Sequence, residues 1–137
     1  MLNTTIIVEE RPMKALVVDD SQSMRNIVKS GLKEMNIFTE IVEAENGLVA
    51  LKKLQEEGPF DIVFLDWYMP EMEGYDCLVN IRQNSNWDDV KVMMVTTENQ
   101  QENIIRAVMA GANEYLMKPF NSEMLQEKVK MMLGLEE

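Results

Sequence analysis

The sequence predicts an α/β fold: a doubly wound, five-stranded parallel sheet with helices on both faces. Five short apolar segments alternate along the 137 residues with five segments whose apolar residues recur at helical spacing. This alternation is typical of successive βαβ units. The apolar segments at residues 15–18 and 62–65 contain no polar residue, as expected of strands buried on both faces of a parallel sheet. The chain length suits one domain with its own core.

The first half of the chain predicts two strands and two helices. The first strand, residues 15–18, is followed by Ser21, which can cap a helix with one apolar face. Residues 39–42 form a second, less apolar strand that suits a sheet edge. Asn46 and Gly47 open the second helix, and Gly58-Pro59 ends it.

The second half predicts three more strands and three more helices. The strands lie at residues 62–65, 90–95 and 115–117, and the helices at 74–85, at 102–110 and from Asn121 to about Gly134. Gly111 is the expected stop of the fourth helix.

Residues 1–12 lie outside this pattern and are predicted to form a flexible extension, with strand propensity at residues 4–8; residues 13–137 form the domain. The first 12 residues do not resemble a signal peptide. No apolar run approaches the ~20 residues that cross a bilayer. We therefore expect a cytoplasmic protein that does not bind membranes.

The composition excludes several classes of function. The chain contains no histidine, which removes Ser-His and Cys-His catalysis. Cys77 is the only cysteine, so neither an internal disulfide nor a cysteine-cluster zinc site can form. The formal net charge of −11 argues against nucleic acid as a partner. A hard ion with oxygen ligands, such as Mg²⁺, remains possible.

Polar side chains follow four of the five predicted strands, at the point where each strand ends. Asp19 and Asp20 follow the first strand, Asp66 the third, Thr96 the fourth and Lys118 the fifth. Because the carboxyl ends of parallel strands meet at one edge of the sheet, we expect these side chains to converge. Clustered carboxylates attract a cation such as Mg²⁺, and a carboxylate can attack phosphorus to form an aspartyl phosphate. The sequence therefore predicts phosphoryl-transfer chemistry.

The residues around these strand ends resemble the response-regulator receiver family, and within it the CheY-type chemotaxis regulators. The likeness extends from Met13 to the C-terminus. It implies a flavodoxin-like, CheY-like sheet of strand order 2-1-3-4-5. The stretches that carry it are Val17-Val18-Asp19-Asp20, Asp66-Trp67 with Met69-Pro70, Met94-Val95-Thr96, Glu102-Asn103-Ile104-Ile105, Gly111-Ala112 and Lys118-Pro119-Phe120.

The resemblance also implies a metal site and a phosphoacceptor. Asp66 corresponds to the acceptor. Asp20, Asp66 and the backbone carbonyl of Tyr68 correspond to the Mg²⁺ ligands, and Asp19 acts through water. The chemotaxis regulators of the family carry asparagine where Tyr68 stands, so we expect the dephosphorylation rate to differ.

Three further residues receive roles from the resemblance. Lys118 corresponds to the lysine that pairs with the acyl phosphate, and its bond to Pro119 is expected to be cis. Thr96 corresponds to the switch hydroxyl and Tyr115 to the switch aromatic. Periodicity alone would also allow Thr97 to face the site; the resemblance favours Thr96.

The implied function is that of a single-domain response regulator in chemotaxis or flagellar motor control. A chemotaxis-type histidine kinase or a small phosphodonor phosphorylates Asp66. The surface of the fourth helix, fifth strand and fifth helix then binds a motor-switch protein or another target, and a phosphatase is a further expected partner. We expect a monomer that slowly dephosphorylates itself and is not a conventional turnover enzyme.

Other interpretations remain open. Gln100 and Gln101 replace two lysines of the motor-binding face, although Lys128 matches, so a phosphate sink or relay in another two-component pathway is the alternative. A phosphohydrolase of the haloacid-dehalogenase type would need a second aspartate where Tyr68 stands. A flavodoxin-like FMN carrier would need a Ser/Thr/Gly-rich loop after the first strand.

Overall fold

The computed structural model describes residues 12–135 and contains five strands, five α-helices and one short 3₁₀ helix in that range. Strands and helices alternate throughout, as the sequence predicts. In chain order they are β1 (Met13–Val18), α1 (Gln22–Lys33), β2 (Phe38–Ala44), α2 (Gly47–Glu57), β3 (Ile62–Leu65), α3 (Gly74–Gln83), the 3₁₀ helix (Ser85–Trp87), β4 (Lys91–Thr96), α4 (Gln101–Met109), β5 (Glu114–Met117) and α5 (Ser122–Leu133).

The five strands form one sheet in the order β2-β1-β3-β4-β5. Every neighbouring pair is parallel, and β3 lies at the centre. Leu65, the last residue of β3, pairs with Val18 on one side and Met94 on the other. The residues that follow β1, β3 and β4 therefore lie next to one another at the carboxyl edge. The fold class and strand order are confirmed.

Side chains fix the helix starts that the sequence predicts. Ser21 Oγ accepts a hydrogen bond from the backbone N–H of Met24 at 3.2 Å. Asn46 Oδ1 accepts from Val49 N–H at 2.9 Å. Asn121 caps α5 in the same way, and Gly134 ends that helix in the left-handed conformation. These contacts satisfy N–H groups that the first turn of a helix leaves without partners.

The sheet separates two apolar layers, because alternate strand residues point to opposite faces. One layer contains Leu16, Val63 and Met94 under α2, α3 and Ala107 of α4. The other contains Val17, Phe64 and Met93 under α1 and α5. Helix α4 buries only Ala107 and leaves Ile105, Val108 and Met109 exposed.

The structure differs from the sequence prediction at several element ends. Helix α3 ends at Gln83, and a 3₁₀ turn that was not predicted follows because Asn84 Oδ1 accepts from the N–H of Asn86.

The Lys118–Pro119 bond is cis, as the resemblance implies, and so is Gly58–Pro59, which was not predicted. No helix within residues 12–135 is long and apolar enough to cross a membrane. The predicted flexible extension falls, apart from Pro12, outside the described residues.

Candidate phosphoacceptor site

Three carboxylates meet at the carboxyl edge of the sheet. Asp19 follows β1, and Asp66 follows β3; both are buried, whereas Asp20 is exposed. One oxygen from each of the three carboxylates lies within 4.8 Å of the others. The backbone N–H of Asp66 donates to the Val18 carbonyl at 3.0 Å, which fixes Asp66 beside the end of β1. The convergence predicted from the strand ends is therefore present.

Lys118 brings a positive charge into this cluster from the end of β5. Its Nζ lies 2.8 Å from Asp19 Oδ2 and 3.2 Å from Asp66 Oδ2. Burial by itself would lower the pKa of Lys118, but the hydrogen bond to Asp19 and the charges of both aspartates outweigh burial and raise it. Lys118 therefore remains an ammonium group that can pair with anionic oxygens in the site.

Burial and neighbouring groups determine both the pKa and the position of the Asp66 carboxylate. Burial raises its pKa, and the charge of Asp19 adds to that effect, while Lys118 and a hydrogen bond from Thr96 oppose it. Its Oδ1 accepts the backbone N–H of Trp67 at 2.7 Å. Gly74 packs so closely that a Cβ there would lie 1.9 Å from the Asp66 carbonyl oxygen. Only glycine fits at the start of α3, because any side chain would displace the loop that carries Asp66.

The structure places Thr96 in the site and Thr97 outside it. Thr96 is fully buried, lowers the pKa of the neighbouring Asp66 carboxyl and accepts the N–H of Glu98 on its hydroxyl oxygen at 3.1 Å. Thr97 is exposed. Neighbouring side chains in a strand point in opposite directions. Thr96, at the end of β4, therefore faces the site, whereas Thr97 faces away from it.

Glu98 is a buried residue of the site region that sequence reasoning missed. Its carboxylate accepts hydrogen bonds from the hydroxyl of Tyr68, the N–H of Gln100 and the amide of Asn103. Its backbone carbonyl accepts the hydroxyl of Tyr115 at 2.7 Å. The available signal was its position, since Glu98 lies two residues beyond Thr96 in the loop between β4 and α4.

Tyr68 and Tyr115 are the two tyrosines predicted to act at the site. The hydroxyl groups of both donate a hydrogen bond to Glu98. The Tyr68 side chain is 49% exposed although its hydroxyl is bonded to the Glu98 carboxylate. Burial, together with the charges of Glu98 and Asp66, raises the pKa of Tyr115 to about 12, so its hydroxyl stays protonated and able to donate. Glu98 thus connects the loop after β3 to β5.

A second connection reaches α4 through stacked side chains. The ring of Trp67 stacks on that of Tyr75 with centroids 5.5 Å apart. The Arg106 guanidinium lies 4.3 Å from the centroid of the same Tyr75 ring, and its Nη1 donates to Asn103 at 3.0 Å. The residue next to Asp66 is therefore coupled to α4 by a cation–π contact.

The donor set of the site fits a hard divalent cation. Asp19, Asp20 and Asp66 supply carboxylate oxygens at one point of the surface, and the resemblance implies the Tyr68 backbone carbonyl as a further ligand. Carboxylates, carbonyls and water are the ligands that Mg²⁺ prefers. No histidine or thiol is available to favour a softer metal, because the chain has no histidine and Cys77 is buried away from the surface.

Comparison with known proteins assigns the family. Residues 15–130 match the response regulator receiver domain. The chain belongs to the response-regulator receiver family. The receiver domain is 45% identical to chemotaxis protein CheY-3 of Vibrio cholerae over 117 residues, which are 85% of this chain and 88% of the relative. It is 39% identical to CheY1 of Helicobacter pylori over 122 residues, which are 89% and 98%.

A solved structure gives the same result for the fold. Chemotaxis response regulator CheY4 of Vibrio cholerae superposes with a TM-score of 0.81 at 33% identity, over 89% of this chain and 99% of CheY4. Together with the strand order, this confirms the resemblance on which the site residues were assigned. The matched segment lies inside the predicted domain of residues 13–137.

Proposed function

We propose that this receiver domain is a response regulator whose Asp66 accepts a phosphoryl group from a partner histidine kinase. The observation that carries the proposal is the setting of Asp66. Its carboxylate is buried, lies 3.2 Å from the Lys118 ammonium and shares one acidic cluster with Asp19 and Asp20. Burying carboxylates together is costly, and phosphoryl transfer is a function that uses them at this edge of the sheet.

The proposed transfer uses groups already in place. An Asp66 oxygen attacks phosphorus, the bond from phosphorus to the donor nitrogen breaks, and the donor imidazole keeps the electron pair and takes up a proton. Lys118 then leaves Asp66 and pairs with a phosphoryl oxygen, and the Thr96 hydroxyl donates to another. Mg²⁺ held by Asp19, Asp20, Asp66 and the Tyr68 carbonyl would supply positive charge to the phosphoryl oxygens.

The same contacts supply a switch. Hydrogen bonds to a charged group contribute about 1.5–3 kcal/mol each, so the two from Thr96 and Lys118 give about 3–6 kcal/mol. Inverting a 1:99 population requires about 5.5 kcal/mol. Thr96 also holds the N–H of Glu98, so its movement shifts the loop to which Tyr115 is bonded. Because the Tyr115–Glu98 bond exists before phosphorylation, we propose that phosphorylation stabilises the arrangement in which Tyr115 is bonded to Glu98 rather than creating it.

The surface that responds to the switch consists of α4, β5 and α5. Ile105, Val108 and Met109 expose apolar area on α4, which a partner can cover. We propose a cytoplasmic role in chemotaxis, with a flagellar motor-switch protein as target, because the chain covers most of the length of its chemotaxis relatives.

A phosphate sink or relay is the second candidate, and Gln100 and Gln101 favour it. These two uncharged residues stand at the start of α4. In the chemotaxis regulators that the chain resembles, lysines occupy these positions of the motor-binding face. A motor-switch peptide and a cell lysate, each presented to the phosphorylated protein, distinguish the two. Binding of the peptide supports the motor role, and its absence supports the sink. We also propose that the protein undergoes slow self-dephosphorylation and no multiple-turnover hydrolysis of phosphate esters.

Trp67 provides the direct test of the proposal. Its backbone N–H bonds Asp66, and its buried ring stacks on Tyr75, so its fluorescence reports changes at the acceptor. Addition of Mg²⁺ and then a small acyl phosphate is expected to change the emission of the wild type and leave Asp66→Asn unchanged. The same response in both proteins would refute Asp66 as acceptor.

A further inference from the structure

Arg25 lies at the end of the first turn of α1 and has a mostly buried side chain, of which only 11% is exposed. The first turn of this helix contains no acidic residue. A positive charge so close to the start of a helix is unfavourable, because the positive end of the helix dipole lies there. Residues that break a local preference are often found where a function requires them, and the contacts of Arg25 indicate which function that is.

The guanidinium of Arg25 joins α1 to the carboxyl ends of β1 and β2. Its Nη1 donates a hydrogen bond to the backbone carbonyl of Asp19 at 2.6 Å. Its Nε donates to Glu43 Oε1 at 3.0 Å, and its Nη2 donates to Gln22 Oε1 at 2.7 Å. Gln22 in turn donates to the same Glu43 oxygen at 3.0 Å. Because the guanidinium is planar, the bonds to Glu43 and Gln22 fix the direction in which Nη1 meets Asp19.

The ion pair with Glu43 does not by itself explain why an arginine stands here. Lys29 Nζ lies 2.9 Å from Glu43 Oε2 and already supplies a positive charge to that carboxylate. An ammonium group would serve the ion pair equally well, whereas only a guanidinium presents several donors in one rigid plane. The contact that requires the arginine is therefore the one to the Asp19 carbonyl.

The Asp19 carbonyl belongs to the peptide group that leads to Asp20. A peptide group is planar, so a bond to its oxygen sets the direction in which the backbone enters Asp20. The rest of Asp19 is held as well, since its N–H donates to the Ala44 carbonyl at 3.1 Å and its Oδ1 accepts the N–H of Ser21 at 2.9 Å. The bond from Arg25 completes the set of contacts that fix this turn.

Asp20 is the carboxylate of the acidic cluster that most needs such a restraint. Lys118 pairs with Asp19 and Asp66, whereas Asp20 is exposed. One of its oxygens nevertheless lies within 4.8 Å of an oxygen from each of the other two aspartates. Like charges at this distance repel, so an unrestrained Asp20 would turn towards solvent. A ligand that is already in place binds a cation more tightly, because less conformational freedom is lost on binding.

We propose that Arg25 is a positioning residue of the cation site: through the Asp19 carbonyl it fixes the Asp19-Asp20 peptide group and so holds the Asp20 carboxylate in the acidic cluster. This role rests on the proposed function, in which Mg²⁺ at the cluster supports phosphoryl transfer. Arg25 contacts neither the cation nor the phosphoryl group. Loss of its guanidinium therefore weakens cation binding and leaves the acceptor intact.

Charge-conserving exchanges at two positions test the proposal. Arg25→Lys keeps the charge but loses the planar set of donors, whereas Lys29→Arg alters the same Glu43 ion pairs and leaves the bond to Asp19 in place. Both are titrated with Mg²⁺ and followed by the fluorescence of Trp67. We expect the dissociation constant for Mg²⁺ to rise about tenfold in Arg25→Lys, as for other residues that orient metal ligands. Lys29→Arg should stay within about twofold of the wild type, because its charge is retained.

The titrations separate this proposal from the proposed function. An unchanged dissociation constant in Arg25→Lys, or an equal rise in both variants, would overturn the role of Arg25 while the wild type still responds to Mg²⁺. Absence of any Mg²⁺ response in the wild type would overturn the proposed function and the role of Arg25 together.

Two further measurements separate positioning from a general loss of stability. At saturating Mg²⁺, a small acyl phosphate should phosphorylate Arg25→Lys at a rate within about twofold of the wild type, because only the Mg²⁺ concentration that is required has changed. In the metal-free protein, ¹⁵N relaxation should show a more mobile Asp20 amide in Arg25→Lys and an unchanged Val95 amide in β4. A rate that stays low at saturating Mg²⁺, or an Asp20 amide as rigid as in the wild type, would overturn the proposal.

Discussion

The hydroxyl of Tyr68 donates a hydrogen bond to the buried carboxylate of Glu98. This contact joins the loop after β3, which carries Asp66, to the loop after β4, which carries Thr96. Glu98 also receives Tyr115 on its backbone carbonyl. A single residue that the motifs did not identify therefore connects the acceptor loop with both residues assigned to the switch.

Removing the Tyr68 hydroxyl is expected to speed dephosphorylation. The hydrogen bond to Glu98 holds the half-exposed Tyr68 ring in the loop that follows Asp66, and we expect a ring held there to limit the access of water to the phosphoryl group. A bond to a charged partner contributes about 1.5 kcal/mol or more, and about 1.36 kcal/mol corresponds to tenfold in rate. Tyr68→Phe should therefore lose its phosphoryl group about tenfold faster. Tyr75→Phe, which alters a ring that stacks on Trp67, is the matched control, and equal rates in the two variants would contradict this role.

Thr96 and Thr97 form a natural pair for testing the switch. Thr96→Val should still accept a phosphoryl group on Asp66 but lose one hydrogen bond to it, worth about 1.5–3 kcal/mol. The ratio of switched to unswitched molecules should fall about tenfold or more. Amide shifts of α4 and β5 upon phosphorylation measure that ratio. Thr97→Val alters an exposed side chain and should behave as wild type; a loss of switching confined to Thr97→Val would reverse the assignment.

The ion pairs of Glu43 are expected to stabilise the fold by an amount that depends on pH. The hydrogen bond from Lys29 is the largest cause that holds the pKa of Glu43 at about 2, and bonds from Arg25 and Gln22 add to it against the opposing effect of burial. A pKa lowered by folding stabilises the protein above the ordinary value of 4.5, and that stability is lost as the pH falls through about 2.

Urea unfolding of Glu43→Gln measures this contribution. At pH 7 the variant should be less stable by at most about 1 kcal/mol, because the side chain is partly exposed and solvent screens the ion pairs. The difference should disappear between pH 4.5 and about 2. Glu56→Gln, whose partner Lys52 is 3.9 Å away and exposed, is the control. A difference that stays constant over this range would exclude the ion pairs as its source.

Arg82 is expected to stabilise the fold through its planar guanidinium. It donates to the carbonyls of Gly111, Trp87 and Val90 at 2.8–3.2 Å and to Asn113 Oδ1 at 2.9 Å. Arg82→Met should lower the free energy of unfolding by about 2 kcal/mol, because several partly buried carbonyl groups lose their donor. Arg82→Lys should recover little of it, since a single ammonium cannot serve this fork of acceptors. Wild-type stability of Arg82→Lys in urea unfolding would contradict the explanation.

Local patterns were sufficient to predict the strands, the caps and the convergence at the site. Asp66 and Lys118 each end a short apolar segment, and parallel pairing brings such ends together. The same reasoning could not distinguish Thr96 from Thr97, because the choice depends on the register of β4 against β5, where Thr96 lies opposite Met117.

The bonds of Glu98 could not be predicted because they arise from tertiary contacts, and the end of α3 could not because it depends on the side-chain bond of a single residue, Asn84. Glu98 lies in a loop, and its three side-chain donors come from residues 68, 100 and 103. The 3₁₀ turn after Gln83 follows a local Asn84 bond, and Arg82 binds that turn through Trp87. Neither leaves a periodic signal in the sequence.

The location of the phosphoryl group after treatment with Mg²⁺ and a small acyl phosphate tests the central claim most directly. Borohydride reduces an aspartyl phosphate to homoserine, which mass spectrometry can place in the chain. The expected result is homoserine at position 66 in the wild type and none in Asp66→Asn. Modification at Asp19 or Asp20, or no modification in the wild type, would contradict the assignment of Asp66 as the phosphoacceptor.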